Sequence, residues 1–136
     1  MDLKPRSANW EQRVRKSFEA QAFMDHLGAR MVHLAPGAVD LELSMRPELT
    51  QQHGFFHAGV TSSIADSAAG YAALTLFADG TGVLTTEYKI NLLNPAAQPT
   101  LVARGRVLKP GRTLTIARAD VYGLSEDTQV HVATGL

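Results

Sequence analysis

The residues best suited to chemistry lie in one stretch, residues 51–71. A loop with glycines and aromatic residues, at 51–59, runs directly into a segment in which Asp66 is the one acidic residue among small neighbours. A helix that starts at such a loop leaves backbone N–H groups uncovered at its positive end. Those groups can hold an oxyanion or polarise a carbonyl oxygen, and a nearby carboxylate can activate water. The stretch is therefore a candidate active site for attack of water on a carbonyl carbon.

Positioning these residues requires a helix, and the hydrophobic spacing predicts one over residues 57–78. Large apolar side chains recur along one stripe, which we expect to pack on a sheet. A second stripe consists of small residues with Asp66 at its centre: Gly59, Ser63, Asp66, Gly70 and Ala73. Small residues allow another backbone or a thin ligand to approach the carboxylate closely.

The remaining pattern predicts an α+β fold. Residues 8–27 are typical of an amphipathic helix that ends at Gly28, and alternating apolar residues predict strands at 29–35, 38–45, 83–93, 100–109, 112–123 and 128–134. A long central helix should then pack on one face of an antiparallel sheet. We expect a single domain over residues 1–136, with residues 1–28 as an N-terminal helical segment.

Composition excludes several classes of site. The chain has 136 residues, and its 13 basic side chains balance its 13 acidic ones. Its net charge therefore does not favour nucleic acid or an anionic membrane as a partner. It has no cysteine, which excludes disulfides and thiolate chemistry. The N-terminal residues lack a signal-peptide core, and no apolar run is long enough for a membrane helix. We therefore expect a cytoplasmic protein.

Spacing along the helix suggests shared sites. Ala58 and Asp66 are eight residues apart, or about 12 Å along a helix axis, so they cannot both touch one reacting carbon within one subunit. If both act on one substrate, a second copy of the chain must supply Asp66. The motif thus predicts a dimer.

Other catalytic arrangements fit less well. His53 and His57 are four residues apart, but the sequence lacks the glutamate and cysteine ligands of common zinc motifs, so loop hydrogen bonding is the better interpretation. Ser62, Ser63 and Ser67 lie outside any Gly-x-Ser-x-Gly nucleophile motif. Neither a metal nor a redox cofactor is expected.

Four segments carry a resemblance to a known family: QQHGFFHAG at 51–59, Asp66 with its small neighbours, TTEYKINLLNPA at 85–96 and KPGRT at 109–113. With these segments the chain resembles the hotdog-fold acyl-CoA thioesterases of the PaaI-like type, over nearly its whole length. The nearest subgroup is that of the medium- to long-chain acyl-CoA thioesterases.

The resemblance implies a hotdog fold, with the long helix wrapped by the antiparallel sheet, and homodimers that often pair into homotetramers. It implies that Asp66 is the catalytic general base or nucleophile and that the Ala58 N–H polarises the thioester carbonyl. The family usually has glycine at the position of Ala58, and alanine serves there provided that its φ is negative. Gln51 and Thr85 match residues near the water or thioester, and His57 matches an orienting histidine.

The resemblance also suggests a substrate-binding set. Basic residues cluster around one hairpin, and solvated charge is the commoner explanation for such a cluster. The resemblance makes some of them candidates to bind the phosphates of CoA: Arg106, Lys109 and Arg112, with Lys89 as a weaker candidate. Gly59 in the loop is expected to contact substrate. The candidates to line an acyl tunnel are Phe55, Phe56, Tyr71, Leu74 and Phe77, although core packing explains each of them equally well.

We therefore expect hydrolysis of acyl-CoA to a free acid and CoA, without nucleic acid, membrane or cofactor. Two alternatives remain open at this point. An enoyl-thioester hydratase or dehydratase of the same fold would pair His57 with Asp66 across the dimer. A non-catalytic acyl-CoA-binding module would have little use for the carboxylate of Asp66.

Overall fold

The N-terminal segment forms two short helices in the computed structural model, which describes residues 3–136. Helix α1 spans Trp10–Ala20 and helix α2 spans Ala22–Leu27. The single helix predicted for residues 8–27 is interrupted because Gln21 between them has an extended backbone, with φ −80° and ψ 100°. Gly28 ends α2 in a left-handed conformation, φ 73°, as the sequence predicts.

Six antiparallel strands form one sheet in the order β1-β2-β4-β5-β6-β3. The strands are β1 Arg30–Ala35, β2 Ala38–Ser44, β3 Ile90–Leu92, β4 Thr100–Lys109, β5 Ile116–Leu124 and β6 Gln129–Gly135. Buried residues alternate with partly buried ones along β2 and most of β5, so one face of the sheet is packed and the other meets solvent.

The long central helix, α3, spans Ala58–Leu74 and lies on the apolar face of the sheet. Its 17 residues give a length of about 26 Å, shorter than the predicted 57–78. Ile64, Ala65 and Ala68 are fully buried against β2, β4 and β5. The predicted α+β hotdog architecture, a helix wrapped by an antiparallel sheet with extra helical residues at the N-terminus, is confirmed.

Two arginines of the N-terminal segment hold the chain that follows α3. Arg6 Nε donates to the carbonyl of Leu76 at 3.0 Å. Arg13 donates to the carbonyls of Phe77, at 2.9 Å, and Thr81. Cations at the C-terminal end of a helix also meet the negative end of its dipole. The arginines therefore fix the turn from α3 into the next segment.

Residues 81–89, the connecting segment, differ most from the sequence prediction. A strand was predicted for residues 83–93, but only Ile90–Leu92 is paired, with β6. Within the part of the chain that the structure describes, backbone groups of residues 82–88 make no hydrogen bond. Apolar alternation made the segment resemble a strand, yet no other strand of the same chain reaches it. Leu84 in this segment is 90% exposed.

Gly105 permits the close contact between α3 and the sheet. A Cβ built at Gly105 in β4 would lie 2.2 Å from the carbonyl oxygen of Ala68 and 2.7 Å from the nitrogen of Ala69. Both are backbone atoms, so the helix must move if any side chain is added. We expect Gly105→Ala to lower the free energy of unfolding by about 1–3 kcal/mol, measured by urea denaturation.

The matched control is Gly82→Ala in the connecting segment. A Cβ there meets nothing within 4 Å, and φ is not positive. This control is expected to change stability by less than about 1 kcal/mol. Equal effects of the two substitutions would show that the helix–sheet distance does not depend on Gly105.

Candidate active site

Asp66 lies in the middle of α3, half-buried, and the connecting segment meets it there. Thr85 Oγ1 donates a hydrogen bond of 2.7 Å to Asp66 Oδ1. The connecting segment also passes close to the predicted small stripe one turn further along the helix, where a Cβ at Gly70 would lie in ordinary contact with Val83 at 3.7 Å. The structure thus brings together two residues that the sequence named separately, Asp66 and Thr85.

A cavity of about 370 Å³ opens beside this pair. Three parts of the chain line it: helix α1 with Gln21 after it, α3 and the connecting segment. The lining residues that carry polar groups are Arg13, Ser17, Gln21, Asp66, Ser67, Tyr71, Thr81 and Thr85. A cavity of this size falls in the range of small-molecule sites.

A chain of hydrogen bonds crosses the cavity wall between the N-terminal helices and α3. Ser67 Oγ donates to Gln21 Oε1 at 3.3 Å, and Gln21 Nε2 donates to the Tyr71 hydroxyl at 2.8 Å. The Tyr71 hydroxyl donates in turn to the carbonyl of Ser17 at 3.1 Å. The amide of Gln21 therefore has a fixed orientation in the wall that also contains Asp66.

Tyr88 is a second tether between the connecting segment and α3. Its hydroxyl donates to the carbonyl of Ser62 at 3.3 Å, one turn before Asp66. Burial raises the pKa of the Tyr88 phenol; the Ser62 side chain lowers it by a smaller amount, and the negative charge of Asp66 raises it by less still. The phenol therefore stays protonated and remains a donor at neutral pH.

The start of α3 presents one free backbone donor. His57 precedes the helix, and its Nδ1 accepts a 2.7 Å hydrogen bond from the N–H of Gly59. Within residues 3–136 no acceptor meets the N–H of Ala58, the first residue of the helix. Among residues 3–136 only glycines have a positive φ, so Ala58 has the negative φ that its expected role requires. A neutral His57 that accepts at Nδ1 carries its proton on Nε2.

Gln51 holds the loop before the helix in shape. Its side-chain oxygen accepts from the N–H groups of His53, at 2.7 Å, and Phe55, at 3.2 Å. Its backbone also pairs with Phe55 at 2.9 Å. The side-chain oxygen is therefore occupied, and only the NH₂ group of Gln51 is left to meet a ligand.

The other predicted binding residues are dispersed. Arg106 forms a 2.6 Å ion pair with Asp40 on the face of the sheet opposite α3, whereas Lys109 and Arg112 are on the β4–β5 hairpin. Lys89 is exposed beside β3. Their contact with CoA remains a prediction.

The predicted tunnel residues have different surroundings. Phe55 is 37% exposed at the loop, and Phe56 is 4% exposed and packs in the core. Of the five candidates, only Tyr71 and Leu74 of the central helix line the cavity beside Asp66.

Sequence reasoning missed Arg13, Gln21 and Tyr88 as residues of the site. In an amphipathic helix, Arg13 and Gln21 carry no signal beyond polarity, and their partners are 46 or more residues away. Tyr88 was part of a motif, but no role followed from its type. Among residues 3–136 no group of three or more histidines and carboxylates could hold a metal ion.

The described residues contain no helix long and apolar enough to cross a membrane.

His53 is exposed in the loop before α3, where its backbone N–H is bound to Gln51.

The chain is similar in sequence and in fold to known thioesterases. The sequence model of the Thioesterase superfamily matches residues 53–128. A thioesterase family protein from Silicibacter pomeroyi is 47% identical, with a TM-score of 0.91 over 93% of both chains. Human acyl-coenzyme A thioesterase 13 is 30% identical over 67% of this chain and 65% of its own. The E. coli PaaI protein of the phenylacetic acid degradation operon, 21% identical over 96% of this chain and 91% of its own, shares the fold with a TM-score of 0.83.

The raised pKa of Tyr88 predicts a pH effect on stability. The unfolded phenol ionises near its ordinary pKa of 10.0, while the folded phenol keeps its proton to higher pH. The folded state then binds more protons, so stability falls as pH rises above about 10. Urea denaturation across this range should show a steeper decline in wild type than in Tyr88→Phe. Parallel declines would contradict the assigned environment of the phenol.

Proposed function

The chain belongs to the thioesterase superfamily, as a PaaI-like hotdog thioesterase, and we propose that it hydrolyses acyl-CoA to a free carboxylic acid and CoA. One observation carries the proposal: Asp66, held by Thr85 at 2.7 Å, lies in the wall of a 370 Å³ cavity. A carboxylate with one oxygen held and the other without a bond from residues 3–136 can accept a proton from water.

The proposed reaction needs no further reagent. The water oxygen bonds to the thioester carbon while Asp66 takes its proton, and the C–S bond then breaks. The CoA thiolate leaves and recovers a proton. In the alternative route Asp66 attacks the carbon itself and expels the CoA thiolate, and water then hydrolyses the resulting anhydride and restores the carboxylate. In both routes Thr85 orients the carboxylate.

The charge that develops on the thioester oxygen needs donors, and the start of α3 supplies them. The Ala58 N–H has no other partner among residues 3–136 and stands at the positive end of a 17-residue helix. His57 Nε2–H and the amide of Gln51 are two further donors in the same loop. Preorganised donors of this kind stabilise an oxyanion strongly.

Two subunits are needed to bring the donors and the carboxylate together. Ala58 begins α3 and Asp66 lies about 12 Å further along its axis, so we propose a homodimer in which each site combines Ala58 of one copy with Asp66 of the other. Residues 82–88 have an unpaired backbone, and Leu84 among them is exposed. Both features support contact of the partner subunit with this connecting segment, next to the edge strand β3. Pairing of dimers into a tetramer remains an expectation from the family.

The phosphates of CoA would meet basic side chains on the β4–β5 hairpin. Lys109 and Arg112 are exposed there and carry no ion pair within residues 3–136, which supports them as candidates. Arg106 is a weaker candidate, because Asp40 already neutralises its charge.

Substitution of the carboxylate and of its partner tests the reaction. Asp66→Ala and Asp66→Asn should lower kcat by about 10²–10⁴-fold, measured as CoA release from a panel of acyl-CoAs. Thr85→Val should lower kcat less, because the carboxylate stays but is no longer held. Thr86→Val is the matched control, since Thr86 is exposed and its hydroxyl makes no bond with residues 3–136. Full activity of Asp66→Ala would exclude the mechanism.

Removal of one backbone N–H tests the oxyanion site. Ala58→Pro deletes the N–H at the first helical position, where proline fits, and the extended backbone of His57, with ψ 139°, suits a residue before proline. We expect a loss of about 10²–10³-fold in kcat. Ala58→Ser keeps the N–H and should retain most of the activity.

Mixing Asp66→Ala with Ala58→Pro then tests whether sites are shared. A heterodimer contains one site with both intact groups, so refolding the two variants together should restore up to about a quarter of wild-type activity. No recovery, in samples whose mixed dimers are verified by mass spectrometry, would place both groups in one subunit.

The same assays address the two alternatives. An enoyl-thioester hydratase would convert unsaturated acyl-CoA without releasing the thiol, and a binding module would bind acyl-CoA without turnover. Membership of the thioesterase superfamily favours hydrolysis over both.

A further inference from the structure

The wall of the cavity beside Asp66 contains a side-chain amide that has a fixed orientation and no role in the proposed hydrolysis. Gln21, at the break between α1 and α2, is held by Ser67 and Tyr71 of α3. Ser67 follows Asp66 directly in the chain, and Gln21, Ser67 and Asp66 all line the same cavity. The amide therefore faces the space beside the proposed reacting carboxylate.

The direction of the hydrogen bonds defines what Gln21 offers to a ligand. One N–H of its amide is bound to Tyr71, and its oxygen accepts from Ser67. Within the described residues, the second N–H of Gln21 has no acceptor and the Ser67 oxygen has no donor. The pair thus presents one donor and one acceptor, which a single hydroxyl group can satisfy at once.

A plain alkyl chain cannot satisfy these groups. When such a chain fills the cavity, it excludes water and offers no hydrogen bond of its own, so the remaining polar groups of Gln21 and Ser67 are left without a partner. A hydroxyl at the same depth replaces those bonds. A site built to bond a substrate hydroxyl discriminates strongly against the analogue that lacks it.

The size of the cavity limits the acyl group. Its volume, about 370 Å³, lies near the lower end of the range for small-molecule sites, which suits a medium-length acyl chain better than a long one.

We propose that Gln21 determines specificity and that the enzyme prefers medium-length acyl groups with a hydroxyl at the end remote from the thioester. The inference rests on the proposed function, because it places the acyl group in the cavity beside Asp66. It adds the N-terminal helices, through Gln21, to the part of the protein that selects the substrate.

Matched substrate pairs test the proposal. Each ω-hydroxyacyl-CoA, from 6-hydroxyhexanoyl to 10-hydroxydecanoyl, is compared with its unsubstituted parent by the ratio of the two kcat/KM values. Wild type should prefer the hydroxylated member by about tenfold or more at the chain length that reaches Gln21. Gln21→Leu, which is similar in size and apolar, should reduce this ratio to near one, chiefly through loss of activity on the hydroxylated member.

Two further variants separate specificity from structure. Gln12→Leu changes an exposed glutamine of α1 outside the cavity and should leave the ratio unchanged. Ser67→Ala removes the acceptor of the pair and should also lower the ratio, which keeps the proposal testable if Gln21→Leu does not fold. A purely structural role for Gln21 would lower kcat/KM equally for both members of every pair.

The outcomes distinguish this inference from the function on which it rests. Hydrolysis of both members at equal rates by wild type at every length, or an unchanged ratio in Gln21→Leu and Ser67→Ala, overturns the role of Gln21 alone. Absence of CoA release from every substrate overturns the proposed function and this inference with it.

Discussion

The close contact between α3 and the sheet is the constraint on which the rest of the structure depends. The helix backbone at Ala68 lies directly on Gly105, where no side chain fits between the two elements. Fully buried residues of α3 then fill the space against β2, β4 and β5, and the opposite side of the helix is left with glycine, serine and Asp66. The depth of the helix in the sheet therefore decides how far Asp66 projects from the surface.

The cavity lies between α3 and two segments that the sheet does not hold. Residues 82–88 receive no backbone hydrogen bonds within the described chain, so side chains position them: Thr85 on Asp66, Tyr88 on the Ser62 carbonyl and Arg13 on the Thr81 carbonyl. The N-terminal helices thus act on the site twice, through the arginine that holds the connecting segment and through the glutamine in the cavity wall. A site built from such tethers depends on contacts between residues that are distant in sequence.

The sequence allowed the helix, the sheet and the candidate carboxylate to be predicted because each leaves a local signal. Asp66 stood out among small residues, and apolar spacing located α3 and most of the strands. Gln21 left no such signal, because an exposed-looking polar residue in an amphipathic helix has the same pattern whether or not it meets Tyr71. The strand predicted at 83–93 shows the opposite case: the alternation was present, but most of the segment has no neighbouring strand in its own chain. Periodicity reports which faces are apolar, and it does not report whether a partner strand exists.

The break at Gln21 has a consequence for how such enzymes diverge. The region matched by the superfamily, residues 53–128, contains Ala58, Asp66 and Thr85, whereas α1 and α2 precede it. Gln21, the donor that would read the acyl tail, therefore lies outside the stretch that contains the groups for bond cleavage, whereas its partner Ser67 lies within that stretch. Mutations in the N-terminal stretch can then change the substrate preference of the enzyme while the residues that carry out the reaction stay the same.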